Sequence, residues 1–303
     1  MGEVNLLDGK LFSAGGDKRP KTMDKHLIFY LMFIPTVIFF IGGMALHLSV
    51  WLEGTFPGAE NATKVKKLKM LLRRGWKGFW LKPGWYFRVL WVDVIFHRKL
   101  FRQSFYRWVT HTLLVVGFVA TFIVDMIKGF STFYLLELSH SFPIFSFAHE
   151  FETGLVRPFL DFFLEFFSFL ILIGCVLAIV RRFFLKPGQL QTEEEDIITL
   201  LFILFLEVSG FFIEGYRIAH PEVSQARVYM ANLTPASANN WVSFGGYFLS
   251  LFFKNVKINA DFLWYFHVIP SLLWFVYIPH SKLLHIFTSS VTVFLNRSEE
   301  VEH

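Results

Sequence analysis

The sequence predicts an all-α polytopic membrane protein, built as a bundle of five transmembrane helices. Two observations carry this prediction. Five apolar stretches are each long enough to cross the hydrocarbon core of a bilayer, which takes about 20 residues of helix. Hydrophobic residues make up 54% of the 303 residues and charged residues only 17%, whereas about a quarter is charged in soluble domains. A membrane bundle is therefore favoured over a soluble fold.

The five predicted spans are spread along the whole chain. They cover approximately residues 26–51, 105–128, 154–180, 197–219 and 261–290. A shorter apolar run, Val242–Phe253, is too brief to span and is expected at the membrane interface. Residues 1–25 are polar and lack the short apolar core of a secretory signal peptide. We therefore expect one membrane domain over residues 1–303, with an outer N-terminal tail of residues 1–25.

The loops differ in charge, and this difference predicts the orientation. Residues 52–107 hold 13 lysines and arginines but only three acidic residues, whereas residues 129–153 and 220–260 are poor in cations. Because cationic loops stay in the cytoplasm, the basic loop of residues 52–104 and the C-terminus are expected inside a prokaryotic cytoplasmic membrane. The N-terminus is expected outside. Five lysines and arginines before His26 argue the other way.

The basic loop also contains an aromatic segment, Leu68–Phe96. It mixes cations with Trp76, Trp80, Trp85 and Trp91. Tryptophans concentrate at membrane–water interfaces and cations attract anionic lipid, so one interpretation is a segment that lies on the membrane surface. The alternative is a docking surface for a cytoplasmic subunit, and both interpretations are compatible. No nucleic-acid partner is expected.

Histidines are the candidate metal ligands of this chain. Its single cysteine, Cys175, cannot build a disulfide framework, a cysteine-ligated cluster or a thioether haem attachment. His267 and His285 in the fifth span are 18 residues apart, which is five helical turns, so one continuous helix would present both on the same side. Pro270 and Pro279 lie between them and predict a bend. A kinked packing helix with incidental histidines is the alternative.

Depth in the membrane pairs His285 with His111. His285 lies 12 residues before Arg297, and His111 lies 12 residues after Lys99. The two histidines are therefore expected at one level on antiparallel helices. Opposed imidazoles on neighbouring helices are a ligand set for a haem iron. The fold is thus expected to hold haem b between its helices.

The partner of His267 at the outer level is less clear from the sequence. Counted along the third span, His149 matches His267 in depth, provided that the helix runs unbroken past Pro158. His140, further out in the loop, is the competing choice. Ionisable side chains inside a membrane are costly and usually functional, so each of these histidines is a candidate ligand.

Three stretches of the chain resemble a known family. They run from Arg107 to His111, from Gly210 to Ala219 and from His267 to His285. These stretches are similar to the gamma-subunit family of respiratory nitrate reductase, and more closely to its relatives in heterodisulfide-reductase-type and sulfite-reduction-associated membrane complexes. The resemblance covers roughly residues 105–297. It implies a di-haem b cytochrome that exchanges electrons between menaquinone or ubiquinone and a cytoplasmic iron–sulfur subunit.

The resemblance also implies ligands within a haem-binding core of residues 105–297. His111 and His285 would bind the haem nearer the cytoplasm, and His267 the outer haem. Two haems b are expected and one is possible, because Thr121 stands where the nitrate reductase family has a second histidine. His149 as the second outer ligand comes from the depth count and not from the family pattern.

A quinone site is expected near the outer ends of the spans. Oxidation of a quinol removes two electrons and two protons, so the site needs hydrogen-bonding and proton-accepting groups. Lys128 is the first candidate to contact a quinone oxygen, and Glu214 is the candidate proton acceptor. The alternative for Glu214 is an interfacial ion pair with Arg217. Glu165 and Glu207 lie deeper and are candidates for a proton path or for the haem environment.

Two other functions stay open at this point. One is a haem-free anchor or transporter, in which the histidines and Glu207 would relay protons or substrate. Transporters often contain inverted repeats, and the two halves of this sequence show no convincing symmetry. The other is the cytochrome b subunit of a hydrogenase or formate dehydrogenase. In the preferred interpretation the chain is the quinone-reactive electron-transfer subunit of an oxidoreductase complex.

Overall fold

The computed structural model describes residues 25–54, 61–131, 156–185, 193–220 and 242–302. These residues form helices and turns, with no strand among them. Five helices are long and apolar enough to cross a membrane: Ile28–Trp51, Phe105–Phe130, Val156–Leu185, Glu194–Ala219 and Ala260–His280. The predicted all-α, multi-pass membrane fold is therefore confirmed. His140 and His149 lie outside the described residues.

The helices are numbered in chain order. In the first half they are α1 (Lys25–Trp51), α2 (Lys64–Leu81), α3 (Pro83–Val89), α4 (Arg98–Gln103) and α5 (Phe105–Phe130). In the second half they are α6 (Val156–Ile179), α7 (Glu194–Ala219), α8 (Phe244–Phe253), α9 (Ala260–Tyr277) and α10 (His285–Glu302). π-Helical turns follow α3 (Leu90–Ile95) and α6 (Val180–Leu185). The first four predicted spans agree within a few residues with α1, α5, α6 and α7.

Polar caps explain where several of the spans begin. The Ser104 hydroxyl accepts a hydrogen bond from an amide in the first turn of α5 (3.4 Å). The side chain of Asn259 accepts one from the Asp261 amide at the start of α9 (2.8 Å). At the start of α7, Glu193 and Asp196 form a reciprocal capping box. Each cap satisfies amides that have no partner inside the helix, at the point where a polar loop meets an apolar run.

Small residues bring α5 and α6 into close contact. A Cβ atom added to Gly117 of α5 would lie 2.7 Å from the side chain of Ile171 on α6. A Cβ atom added to Gly174 of α6 would lie 2.9 Å from Leu114 on α5. Ile171 and its neighbour Cys175 are completely buried. Glycines allow membrane helices to pack this closely, so α5 and α6 form a rigid pair in the bundle.

The prediction of one continuous helix over residues 261–290 is wrong. α9 ends at Tyr277, two three-residue 3₁₀ turns follow, and α10 begins at His285. Ser281, between the two turns, is extended with φ −122° and ψ 174°. Pro279 explains why α9 cannot continue, because proline lacks the amide hydrogen and its ring clashes with the preceding turn. The expected interruption at this proline is therefore confirmed as a break in the helix.

The aromatic basic segment folds as α2, α3 and a π-helical turn. Lys67 of α2 is buried, and its ammonium donates hydrogen bonds to the main-chain oxygens of Leu52 (3.3 Å) and Gly54 (2.8 Å) just after α1. Exposed apolar side chains follow one side of α2: Val65, Leu72, Trp76 and Trp80. This amphipathic pattern is typical of a helix that lies on a membrane surface.

α8, the short apolar run of the sequence, departs from its expected place at the interface. It packs beside the second half of α7, where a Cβ atom added to Gly215 would lie 2.7 Å from Leu249. Its first residue contacts α6, since the rings of Phe169 and Phe244 are 5.7 Å apart. The preceding Val242 is only 1% exposed. The N-terminus of α8 is therefore buried inside the bundle.

Candidate functional site

Two predicted ligands meet at the end of the bundle where α2, α3 and α4 lie, which we call the basic end. His111 of α5 and His285 of α10 have ring centres 6.2 Å apart. A metal bound between two imidazoles, with metal–nitrogen bonds of about 2 Å, places the ring centres roughly 6 Å apart. The structure thus brings together the two histidines that the depth count paired. Their role as ligands stays a prediction.

Hydrogen bonding leaves the outer nitrogen of His285 available to a metal. Its Nδ1 is bonded to the main-chain oxygen of Lys282. A carbonyl oxygen only accepts, so Nδ1 carries the hydrogen and Nε2 keeps its lone pair. Metal-binding histidines generally donate their second ring N–H in this way, which fixes the ring orientation.

Buried polar atoms on α5 lack partners near the same site. His111 Nδ1, Thr112 Oγ1 and Thr121 Oγ1 are buried and have no hydrogen-bond partner among the described residues. Buried polar atoms in folded proteins are nearly always hydrogen-bonded. Three such atoms on one helix fit a bundle whose interior accommodates a group that is not part of the chain.

His97 is a third histidine at this site, and the depth count could not place it. Its ring centre is 4.6 Å from that of His111, and its Nδ1 is 2.9 Å from the main-chain oxygen of Ile95. Burial lowers the pKa of the His97 imidazole below its ordinary value. The backbone of His97 is left-handed, with φ 51°, a strained conformation that is often found at functional sites. His97 lies in a turn outside the spans, so its sequence carried no depth signal.

An ion-pair cluster holds the break between α9 and α10. The Lys282 ammonium pairs with Glu193 and with Asp196 (3.1 Å), and the Lys282 amide donates to Glu195 (3.1 Å). The hydrogen bonds to these carboxylates raise the pKa of Lys282. The Lys282 carbonyl, which orients His285, is therefore anchored to the start of α7.

His267 lies on a different helix from His285, so the predicted five-turn alignment of the two rings is wrong. The break after Tyr277 separates them. His267 Nδ1 is 2.8 Å from the hydroxyl of Ser209 on α7, and this hydroxyl donates to the Leu206 carbonyl (3.0 Å). Among the described residues, no second histidine contacts this ring. His149, its proposed partner, lies outside the described residues.

A second pair of histidines lies near the break, and the sequence analysis did not identify it. His47 of α1 and His280 have ring centres 6.1 Å apart. Both side chains are exposed. Gly43 makes room beside them, since its added Cβ would lie 3.1 Å from His280 Nε2. This pair has a ring separation like that of His111 and His285, and it serves below as a control.

Lys128, the first candidate for a quinone contact, is held in an ion pair at the opposite end of the bundle, which we call the distal end. Its ammonium is 2.6 Å from Asp161 on α6, which Arg157 also approaches at 3.3 Å. The side chains of Lys128 and Asp161 are only 16% and 9% exposed. Buried ion pairs are costly to build and charged residues inside a membrane usually have a function. The contact with a quinone stays a prediction.

Glu214, the candidate proton acceptor, lies against the first turn of α8. A Cβ atom added to Gly246 would be 2.9 Å from Glu214 Oε2. The Gly246 amide donates a hydrogen bond to Glu165 Oε1 (2.8 Å). The structure therefore brings together two glutamates that the sequence analysis considered separately.

No protein-family model matches the chain, and no solved structure matches it. Curated relatives do match, and two of them are subunits of dihydromethanophenazine:CoB--CoM heterodisulfide reductase. The chain is 24% identical over 272 residues to the one from Methanosarcina thermophila, covering 87% of this chain and 89% of that protein. It is 24% identical over 296 residues to the one from Methanosarcina barkeri, covering 95% and 97%.

A relative with a different name matches over a similar length. EtfAB:quinone oxidoreductase of Syntrophomonas wolfei is 26% identical over 268 residues, which are 87% of this chain but only 32% of that protein. The chain is a distant relative of membrane electron-transfer proteins. With five helices that are able to cross a membrane, it is a multi-pass membrane protein related to subunits of oxidoreductase complexes.

Proposed function

We propose that the chain is a b-type cytochrome subunit that passes electrons between a quinone-class carrier in the membrane and a cytoplasmic iron–sulfur partner. The opposed rings of His111 and His285, 6.2 Å apart, carry this proposal. The names of the relatives support it, because they include a quinone and dihydromethanophenazine as reactants. Menaquinone and ubiquinone are the carriers that the sequence analysis favoured.

His111 and His285 would hold a haem b at the basic end. His267, with His149 as the sequence-based second ligand, would hold another towards the distal end. Haem supplies one-electron chemistry that amino-acid side chains lack. The chain itself contributes ring orientation: Lys282 directs the ring of His285, and Ser209 directs the ring of His267.

The carrier site of this proposal lies at the distal end. Lys128 would present its ammonium to an oxygen of the carrier, while Asp161 holds it in position at 2.6 Å. Glu214 would accept the proton that the carrier loses on oxidation. These roles place the positively charged and the proton-accepting groups on different helices, α5 and α7, on either side of α6.

The basic end would bind the iron–sulfur partner. In the proposed orientation this end faces the cytoplasm, since residues 52–107 carry most of the cations. The exposed apolar side of α2 would rest on lipid, leaving the neighbouring cations to attract an acidic partner surface. Electrons would then leave or enter the membrane beside His111 and His285.

Absorption spectroscopy of the purified protein tests the proposal. We expect a Soret band and two haems b per chain by pyridine haemochrome analysis. His285→Ala should lose the haem at the basic end, because one axial ligand is removed. His280→Ala, five residues earlier and equally exposed to solvent or lipid, is the matched control and should keep it.

Each alternative result has a definite meaning. Retention of every haem in His285→Ala would refute the ligand assignment. Loss of haem in His280→Ala alone would move the site to the pair formed with His47. A wild-type protein without a Soret band would contradict the cytochrome proposal altogether.

A further inference from the structure

The first turn of α8 is built around a buried carboxyl group. Glu165 of α6 is only 4% exposed, and its Oε1 accepts a hydrogen bond from the Gly246 amide at 2.8 Å. A Cβ atom added to the neighbouring Gly245 would lie 3.2 Å from the same oxygen. The amides of a helix N-terminus have no partners within the helix. The two glycines therefore let this end of α8 close around Glu165.

The second oxygen of Glu165 decides its charge. Glu165 Oε2 is buried and has no hydrogen-bond partner among the described residues. Burying an ionised carboxylate with an unpartnered oxygen costs far more free energy than burying the neutral acid. Protonation at Oε2 removes the charge and keeps Oε1 as the acceptor for the Gly246 amide. The surroundings of Glu165 therefore favour the neutral acid.

Glu214 lies on the other side of the same glycine. A Cβ atom added to Gly246 would be 2.5 Å from Glu214 Cγ and 2.9 Å from its Oε2. Glu214 is only partly buried, and the two carboxyl groups interact electrostatically. Because like charges disfavour each other at short range, only one of the two is ionised. The more exposed Glu214 is the one that keeps the charge.

Other charged groups of the distal end are engaged elsewhere. Asp161 of α6 is paired with Lys128 and Arg157. Glu207, two turns before Glu214 on α7, is hydrogen-bonded to Ser168. The carboxyl pair is thus distinct from these groups. It lies about five residues, roughly 7 Å along α7, from the Ser209 that contacts His267.

We propose that Glu165 and Glu214 form a carboxyl pair that holds one proton at rest on Glu165 and takes a second onto Glu214 from the hydroxyl of a hydroquinone-type carrier. The inference rests on the proposed function. In each transfer an O–H bond of the carrier breaks and a carboxyl O–H bond forms on Glu214. The two electrons of the carrier leave to the haem-class redox group of that function. Glu214 releases its proton before it accepts the next one.

Infrared spectroscopy of the haem-containing protein tests the resting state. A protonated carboxylic acid has a C=O stretching band that carboxylates and amides lack. We expect this band in the wild type, shifted by ¹³C-glutamate labelling and reduced in Glu165→Gln. Glu207→Gln identifies any contribution of that second buried glutamate. Glu194→Gln, at an exposed position at the other end of α7, should leave the band unchanged.

Kinetics test the division of roles between the two glutamates. With a short-chain hydroquinone as donor, Glu214→Gln should slow haem reduction by about 100-fold or more, because a general base is lost. Glu165→Gln, whose amide resembles the neutral acid, should slow it less. Glu194→Gln should reduce at the wild-type rate, and dithionite should reduce all four proteins fully.

The outcomes separate this inference from the proposed function. An unchanged acid band in Glu165→Gln, or a larger kinetic loss in Glu165→Gln than in Glu214→Gln, would overturn the inference while leaving the cytochrome intact. ¹³C-glutamate labelling of the wild type gives the same infrared answer if a variant does not fold. A wild type without haem would refute the proposed function, and the infrared measurement would still report on Glu165.

Discussion

Replacing Ser209 by alanine tests whether the ring of His267 is prepared to bind a metal. The Ser209 hydroxyl lies 2.8 Å from His267 Nδ1 and donates its single hydrogen to the Leu206 carbonyl at 3.0 Å. The hydroxyl oxygen must then accept from Nδ1–H, which leaves the lone pair on Nε2. In Ser209→Ala this acceptor is lost, and the ring can exchange between its two tautomers.

The size of the effect follows from the loss of one buried hydrogen bond. A buried N–H without an acceptor costs about 1–3 kcal/mol, which corresponds to a change of about 5- to 150-fold in the tautomer ratio. Loss of the hydrogen-bond partner of a metal-binding histidine lowers metal affinity by about 10–100-fold. We therefore expect Ser209→Ala to retain haem at the His267 site about 10–100-fold more weakly.

Two measurements check this expectation. Nuclear magnetic resonance of ¹⁵N-histidine-labelled, haem-free protein reports the tautomer directly, and transfer of haem to a scavenging protein reports retention. Ser271→Ala is the matched control, because the Ser271 hydroxyl donates to the main-chain oxygen of His267 at 2.7 Å and not to its ring. A wild-type ring with hydrogen on Nε2, or equal haem retention in Ser209→Ala and Ser271→Ala, would refute the reasoning.

Two further substitutions test the packing of the bundle and the break near its basic end. Gly117→Ala should destabilise the protein by about 1–3 kcal/mol, because the new methyl group would lie 2.7 Å from Ile171. Thermal unfolding in detergent should show a lower midpoint than for Gly129→Ala, whose added Cβ meets nothing within 4 Å on the same helix; equal midpoints would contradict the tight α5–α6 contact. Lys282→Met should weaken haem retention beside His285, because the break loses its ion pairs to α7. Retention in the wild type should fall with added salt and retention in Lys282→Met should not, whereas the same salt response in both proteins would exclude this role for Lys282.

The positions of the spans were predictable because hydropathy is a local property of the chain. Five apolar stretches predicted five membrane helices, and four of them agree within a few residues with α1, α5, α6 and α7. The fifth was predicted less well. Pro279 signalled an interruption, but its extent depends on Lys282, which contacts Glu193 from 89 residues away in the sequence.

The pairing of His111 with His285 was also anticipated, for a physical reason. Helices have a fixed rise per residue, so counting from the charged ends places side chains at comparable depth. The same count could not identify His97, which lies in a turn, or the pair of His47 and His280, which depends on how α1 packs against the break. Depth gives a level in the membrane, whereas contact also requires the direction in which each helix faces its neighbours.

The sequence by itself determined that this protein is a bundle of membrane helices, because apolar length and charge distribution are read directly from consecutive residues. Only the tertiary structure decided which polar groups meet inside it. Ser209 reaches His267 across 58 residues of sequence, and the Gly246 amide reaches Glu165 across 81. Such contacts arise from the rotation of each helix about its axis and from close approach at glycines, and neither is encoded in any single stretch of the chain.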